Sequence, residues 1–181
     1  MEAITENAEI ALLKGKGTKV KMNKSRVELI ETLEQTNQAL VEMVASLPEA
    51  ALDFQAKADD WSIREILAHL VDDEVYVMRT RLTRMVKEEL PYLAPHDEKK
   101  WYRERNTSRD ARDELLADFA LQRNASLNII KMLRPSDWVR RGSQPEYGNF
   151  TAEEWLQRWV EHDVNHIQQI KHNLEIYQKN G

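Results

Sequence analysis

The sequence predicts an all-α four-helix bundle with long inter-helix loops, and three observations carry that reading. Four segments repeat apolar residues at three-and-four spacing, two open on a Ser/Thr-x-x-Glu capping pattern, and nowhere do apolar and polar residues alternate as in a strand. Only five Gly and five Pro interrupt 181 residues, of which 41% are hydrophobic and 31% charged, which suits a helix-rich domain able to bury its own core.

Residues 1–23 show weak periodicity and end near Lys-Gly-Lys-Gly-Thr-Lys, so they read as a loosely packed N-terminal arm ahead of a bundle domain, 24–181. The first helix is expected from Lys24 to Leu47, on the stripe Ile30, Leu33, Leu40, Val41, Val44 and Leu47, with Pro48 as its stop. The second has the clearest start: Ser62 and Glu65 make a capping box, and Trp61 can staple onto Ile66. Its apolar face then runs through Leu67, Leu70, Met78 and Met85 to about Glu89. A loop from Pro91 to Thr107 follows, then a less cleanly amphipathic helix from about Ser108 to Leu133. Pro135, Gly142, Pro145 and Gly148 mark the next loop, and a second capping box, Thr151 and Glu154, opens a last helix to about Gln178. Both loops exceed what simple connection requires.

The net charge of −5 and the pI near 5.6 provide no basic field for nucleic acid. No run approaches the roughly 18 apolar residues that span a bilayer, and Met1 to Lys21 lacks the features of a secretory signal. With no cysteine there is no disulfide framework and no thiolate of the chain's own. The cytoplasm is the expected location, and any thiol chemistry requires an external thiol.

Three histidines carry the functional information. His162 and His166 stand four apart, so one helix face presents both, about 5–6 Å from each other. His69, on a separate helix, could complete a three-imidazole site with open positions for water or substrate, the arrangement of catalytic rather than structural metals. Stepping 100° per residue puts all three at the border between core and solvent. A lone histidine at such a border is usually only a half-buried polar side chain, and His96 and His172 are read that way, with no role. Asp163 and Glu74 fall near the middle of apolar stripes, where a carboxylate is costly unless paired. Each either orients a ligating histidine or forms a buried ion pair, with Arg81 or Arg158 as partner. Trp155 and Trp159 lie along the histidine line and read as bundle core, pocket wall, or both.

The ordered set of motifs resembles the DinB-like superfamily (the DinB/YfiT-like type). It comprises Trp61-Ser62 with Glu65, then His69-Leu70, Asp72 and Glu74; Pro91 through Asp97-Glu98-Lys99 and Trp101; and Gly148, Thr151, Glu154-Trp155-Leu156 with His162-Asp163, Asn165-His166 and Gln169-Ile170. It spans roughly Lys24 to Tyr177. The resemblance implies a bundle without simple up-down order and one divalent ion on His69, His162 and His166. It further implies a hydrolase or a transferase that uses a low-molecular-weight thiol. Some relatives carry another histidine where this chain has Glu74.

No His-Glu-x-x-His occurs, and the Glu-x-x-His repeats of a di-iron bundle are missing, so neither a zincin nor a di-iron site is expected. Three imidazoles accept several first-row ions; zinc is preferred, then nickel. The expected function is a metal-dependent enzyme in which the ion activates a thiol or water, with Asp163 and, more weakly, Glu74 assisting as catalytic residues. Tyr76 and the Trp101 loop are expected substrate walls. The alternative is a stress-related metal-binding or interaction module without turnover. A small-molecule substrate and a homodimer are the expected partners; five Trp, five Tyr and six Met exceed the needs of one bundle core.

Overall fold

The computed structural model describes residues 24–58, 60–105 and 110–180. The arm 1–23 and the expected helix start at Ser108 lie outside them.

Helix α1 (Arg26–Val44) starts on a capping box in which the Ser25 hydroxyl accepts from the Glu28 N–H and the Glu28 carboxylate accepts from the Ser25 N–H. It buries Leu29, Leu33, Leu40 and Val44, and a single turn, α2 (Glu49–Leu52), follows Pro48. The Ser62 and Glu65 box opens α3 (Ile63–Asp73). This helix continues through a π-helical segment, Glu74–Arg79, into α4 (Thr80–Lys87), which together make the single long rod expected from Ser62 to Glu89. A π turn inserts one residue into the helical ladder and re-aims the side chains beyond it, a distortion found often at functional sites.

The loop after α4 is not free of structure. It holds α5 (Glu98–Glu104), whose first turn is capped by the Asp97 carboxylate accepting from the Lys100 N–H at 2.9 Å. Helix α6 (Arg112–Lys131) and the turn α7 (Pro135–Trp138) lead into an antiparallel hairpin, β1 (Arg141–Gln144) and β2 (Gly148–Thr151). This corrects the expectation of no strands. The strands have four residues each and a mostly polar sequence, too short for alternation to register. Gly148, at φ +67°, supplies the left-handed residue that the turn needs. The hairpin is tied to the loop after α4, because the Leu93 N–H donates to the Ser143 carbonyl (2.7 Å) and the Ser143 N–H to that of Pro91 (2.9 Å). Helix α8 (Ala152–Asn180) opens on Thr151 and Glu154 and closes the fold.

Helix α1 packs chiefly on α6 and α8, and so does α3. The first two long helices therefore lie diagonally across the bundle rather than side by side. The hydrophobic core is split in two. One cluster holds Leu33, Val77, Leu127 and Val160, and the other Leu40, Leu70, Phe119 and Ile170. On each long helix a buried polar residue separates the two sets: Thr36, Glu74, Arg123 and Asp163. The bundle thus contains a polar layer at mid-height, and the three histidines sit beside it.

Candidate metal centre

His69 reaches the site from α3; His162 and His166 reach it from one face of α8. His69 Nε2 and His162 Nε2 are 3.1 Å apart, and ligand nitrogens of all three rings lie within 4.8 Å of one another. Each Nδ1 is turned toward an oxygen. His162 Nδ1 donates to Asp163 Oδ1 (3.3 Å), His166 Nδ1 donates to Gln169 Oε1 (2.8 Å), and His69 Nδ1 faces Asp73 Oδ1 at 3.6 Å. Nε2 of each ring is thereby left to bind, the tautomer arrangement that ligating histidines need. Trp61 walls the group, its ring edge-on to His69 (centroids 4.7 Å) and parallel to His166 (6.2 Å).

The polar layer holds this constellation in place. Asp163 is 1% exposed and lies 2.7 Å from Arg123 Nη1 as well as against His162. Arg123, also 1% exposed, donates from Nε and Nη2 to the two oxygens of Glu74 (3.1 and 2.8 Å) and from Nη1 to the Leu33 carbonyl. Trp159 Nε1 donates to Glu74 Oε2 at 3.1 Å. One cation thus joins two buried carboxylates, and through Asp163 it sets the His162 ring.

This geometry corrects two expectations. Among the described residues, the hydrogen bonds of Glu74 go to Arg123 and Trp159, with both oxygens engaged, so Glu74 anchors Arg123. The ion-pair partner is Arg123, not Arg81 or Arg158. Tyr76 and Trp101 do not line the cavities that meet the histidines. Their rings meet at a 45° tilt with centroids 5.1 Å apart, and Trp101 Nε1 donates to Asp72 Oδ2. Trp159 is core, while Trp155, 3% exposed, is both core and cavity wall.

Two residues given no ligand role join the site. Asp73, one helical turn after His69, approaches His162 Nε2 (3.5 Å) and His96 Nε2 (3.2 Å). Glu98, first residue of α5, brings Oε2 to 4.0 Å from His69 Nε2, so His69, Asp73 and Glu98 form a second cluster able to hold a cation. The i,i+4 spacing of His69 and Asp73 was the available signal.

The electrostatics separate the three rings. Burial pushes His69 down to about 3, the attraction of Asp73 opposing it and the neighbouring imidazoles of His162 and His166 adding to it. Burial and the charge of His162 lower His166 to about 4. His162 goes the other way, to about 9: burial opposes its charge, but the hydrogen bonds and charges of Asp163 and Asp73 outweigh burial. Asp73 and Asp163 stay below the usual carboxylate range for the same reason, their cationic neighbours overcoming burial. Partial burial and the charge of Asp73 raise Glu98. Three imidazoles, two of them held by Nδ1 and the third facing Asp73, beside two buried carboxylates, fit a divalent ion.

Two cavities meet the centre. One of about 480 Å3 reaches His166 and is walled by Trp61 and Gln169. The other, about 330 Å3, reaches His162 and runs between α4, α8 and the hairpin. Glu98 borders both.

A profile of the DinB superfamily matches residues 32–170. The chain belongs to the DinB superfamily. Among DinB relatives, a protein of Oceanobacillus iheyensis named "Putative metal-dependent hydrolase" is 25% identical over 154 residues, 79% of this chain and 82% of its own. One of Bacillus mycoides with the same name is 25% identical over 150 residues, 80% and 84% of the two chains. The solved structure of YfiT from Bacillus subtilis, described as "a probable metal-dependent hydrolase with an unusual four-helix bundle topology", superposes with a TM-score of 0.75 at 23% identity. It covers 94% of this chain and 96% of that one. The likeness shows that the two chains share one fold, the expected four-helix bundle. Among the described residues, no helix is long and apolar enough to cross a membrane.

Proposed function

We propose that this DinB protein is a metal-dependent enzyme in which a divalent ion on His69, His162 and His166 activates a low-molecular-weight thiol or water. The observation that carries the reading is the convergence of three imidazoles from two helices at the meeting point of two cavities. The names of the relatives, metal-dependent hydrolases, support it at the level of reaction class. Zinc is the preferred ion and nickel the next, since neither the donor set nor first-row affinity order separates them further.

When bound, such an ion supplies Lewis acidity, which lowers the pKa of a coordinated thiol or water. The protein's own residues do the rest. Asp163 holds His162 by Nδ1 and keeps Nε2 directed at the centre; Asp73 faces Nδ1 of His69 from 3.6 Å and favours the same tautomer there. Arg123 and Glu74 fix Asp163, so the ligand geometry is set before anything binds. Glu98 is the carboxylate placed to take or return a proton: it borders both cavities beside His69, and partial burial with the charge of Asp73 raises its pKa. Trp61 shields the imidazoles on one side.

A homodimer in the cytoplasm belongs to the same proposal. Exposed Val27, Leu121, Met132 and Val139 support it as apolar surface, and light scattering at 21 kDa over a wide concentration range would rule it out. The functional test is a panel of esters, amides and thiol-plus-electrophile pairs run with and without chelator. Chelator-sensitive turnover on any of them is expected. Bound metal with no turnover across the panel would favour the binding module without catalysis.

A further inference from the structure

The cavity beside His162 contains two arginines that the centre does not use. Arg158 and Arg81 both line it, and among the described residues neither forms an ion pair. The Arg158 guanidinium lies 4.1 Å above the Tyr147 ring, and its buried Nε has no hydrogen-bond partner. Arg81 lies 5.2 Å from the Trp155 ring centre and spends one Nη on the Ala94 carbonyl at 2.6 Å. An aromatic face takes up the plane of a guanidinium and leaves its N–H edge directed outward. Both arginines line one polar cavity.

The acidic residues around them are largely committed elsewhere. Asp73 faces His96 and His162, and Glu98 faces His69. Glu146 interacts with Gln144, accepting from its side-chain amide at 3.5 Å, while its own N–H donates back to the Gln144 oxygen. Glu161 and Glu146 still add negative potential, which disfavours a dianion more than a monoanion.

We propose that Arg81 and Arg158 form a receptor for a carboxylate carried by the small molecule whose other end meets the three-histidine centre. The planar fork of each guanidinium matches a carboxylate edge. The cavity's contact with His162 places that carboxylate and the reacting group in one continuous space, so the preferred substrate or co-substrate is a short anionic molecule. The inference rests on the proposed metal-dependent function and narrows its substrate class.

The test uses the full chain loaded with cobalt(II), in which a thiol bound to the ion gives a charge-transfer absorption band. The probes are ω-mercaptocarboxylates of increasing length, the ω-mercaptoalcohols of equal length, and ω-mercaptophosphonates. At one or two chain lengths the carboxylate should bind roughly tenfold or more tighter than the alcohol, the increment of a charge-assisted contact. Arg158→Met and Arg81→Met should each reduce that preference to a few-fold, and Arg158→Lys should retain part of it. Acid and alcohol binding alike at every length, an equal loss for both in the variants, or a phosphonate preferred over the carboxylate would each overturn the proposal. A band absent with every thiol would count against the metal–thiol reading instead. The carboxylate receptor is then judged in the metal-free protein from the Arg158 Nε–H resonance, which should shift on adding glutarate and not glutaramide; no shift would overturn it.

Discussion

His69 Nε2 lies 3.1 Å from His162 Nε2, although 93 residues separate them in the chain. Two helices that face each other in the bundle present these nitrogens to one point. A layer of buried charge centred on Arg123 fixes the side of α8 that does so. The centre and its support therefore fail or hold together.

Arg123→Met should show how much the fold depends on that layer. The variant leaves Glu74 and Asp163 buried without their cation, a situation that costs about 3–5 kcal/mol. Lys131→Met, which breaks an exposed pair with Glu34, should cost less than about 1 kcal/mol. Urea denaturation of the metal-free proteins measures both, and a similar small loss for the two would contradict a structural role for Arg123.

Metal affinity should rise with pH. In the metal-free site His162 is held up to about 9, so it is protonated at neutral pH, whereas His69 and His166, lowered to about 3 and 4, are already neutral. Ligation requires the neutral ring, so one proton leaves His162. The affinity should increase about tenfold per unit between roughly pH 6 and 8. The sign follows from the raised value: the charged form is favoured by the metal-free fold and is lost only as pH climbs through about 9. Chelator competition at three pH values reads the slope, and a flat profile would exclude His162 as the proton-releasing ligand.

Gly142→Ala should loosen the hairpin against α4. A Cβ there would stand 2.7 Å from Leu93 Cδ1 and 3.0 Å from Met85 Cγ, both part of the buried core. Overpacking of this kind costs about 1–3 kcal/mol. Because β1 borders the cavity beside His162, proteolysis in the hairpin should quicken while the histidine cluster, on other elements, retains its metal. An unaltered melting temperature would mean the two side chains yield freely.

The sequence announced the parts of this protein that depend on short-range pattern. Ser62 with Glu65 and Thr151 with Glu154 mark helix starts because a capping box needs only four residues, and both boxes stand where expected. His162 and His166 were legible through helical spacing. Arg123 was not, because its partners lie on other helices. It interrupts the stripe Phe119, Leu127 and Ile130, so the third helix looked weakly amphipathic when it was carrying a buried cation. The hairpin was hidden by the polar composition of Arg141–Gln144. Helix α5, and with it the placement of Glu98, was read as loop although Asp97 offered a cap. Of the aromatic surplus that suggested a dimer, Trp138, Trp155 and Trp159 are buried and Trp61 packs on the histidines, while Tyr76, Tyr92, Trp101 and Tyr147 are exposed.

Metal content of the untagged protein tests the central claim most directly. Elemental analysis after purification without added chelator should find about one divalent ion per chain. His69→Ala, His162→Ala and His166→Ala should each remove most of it, together with the metal-dependent rise in melting temperature, because binding energy to the folded state adds to its stability. His96→Ala and His172→Ala should keep both. Wild-type protein that takes up no ion, or any of the three variants that retains it at full stoichiometry, would contradict the account.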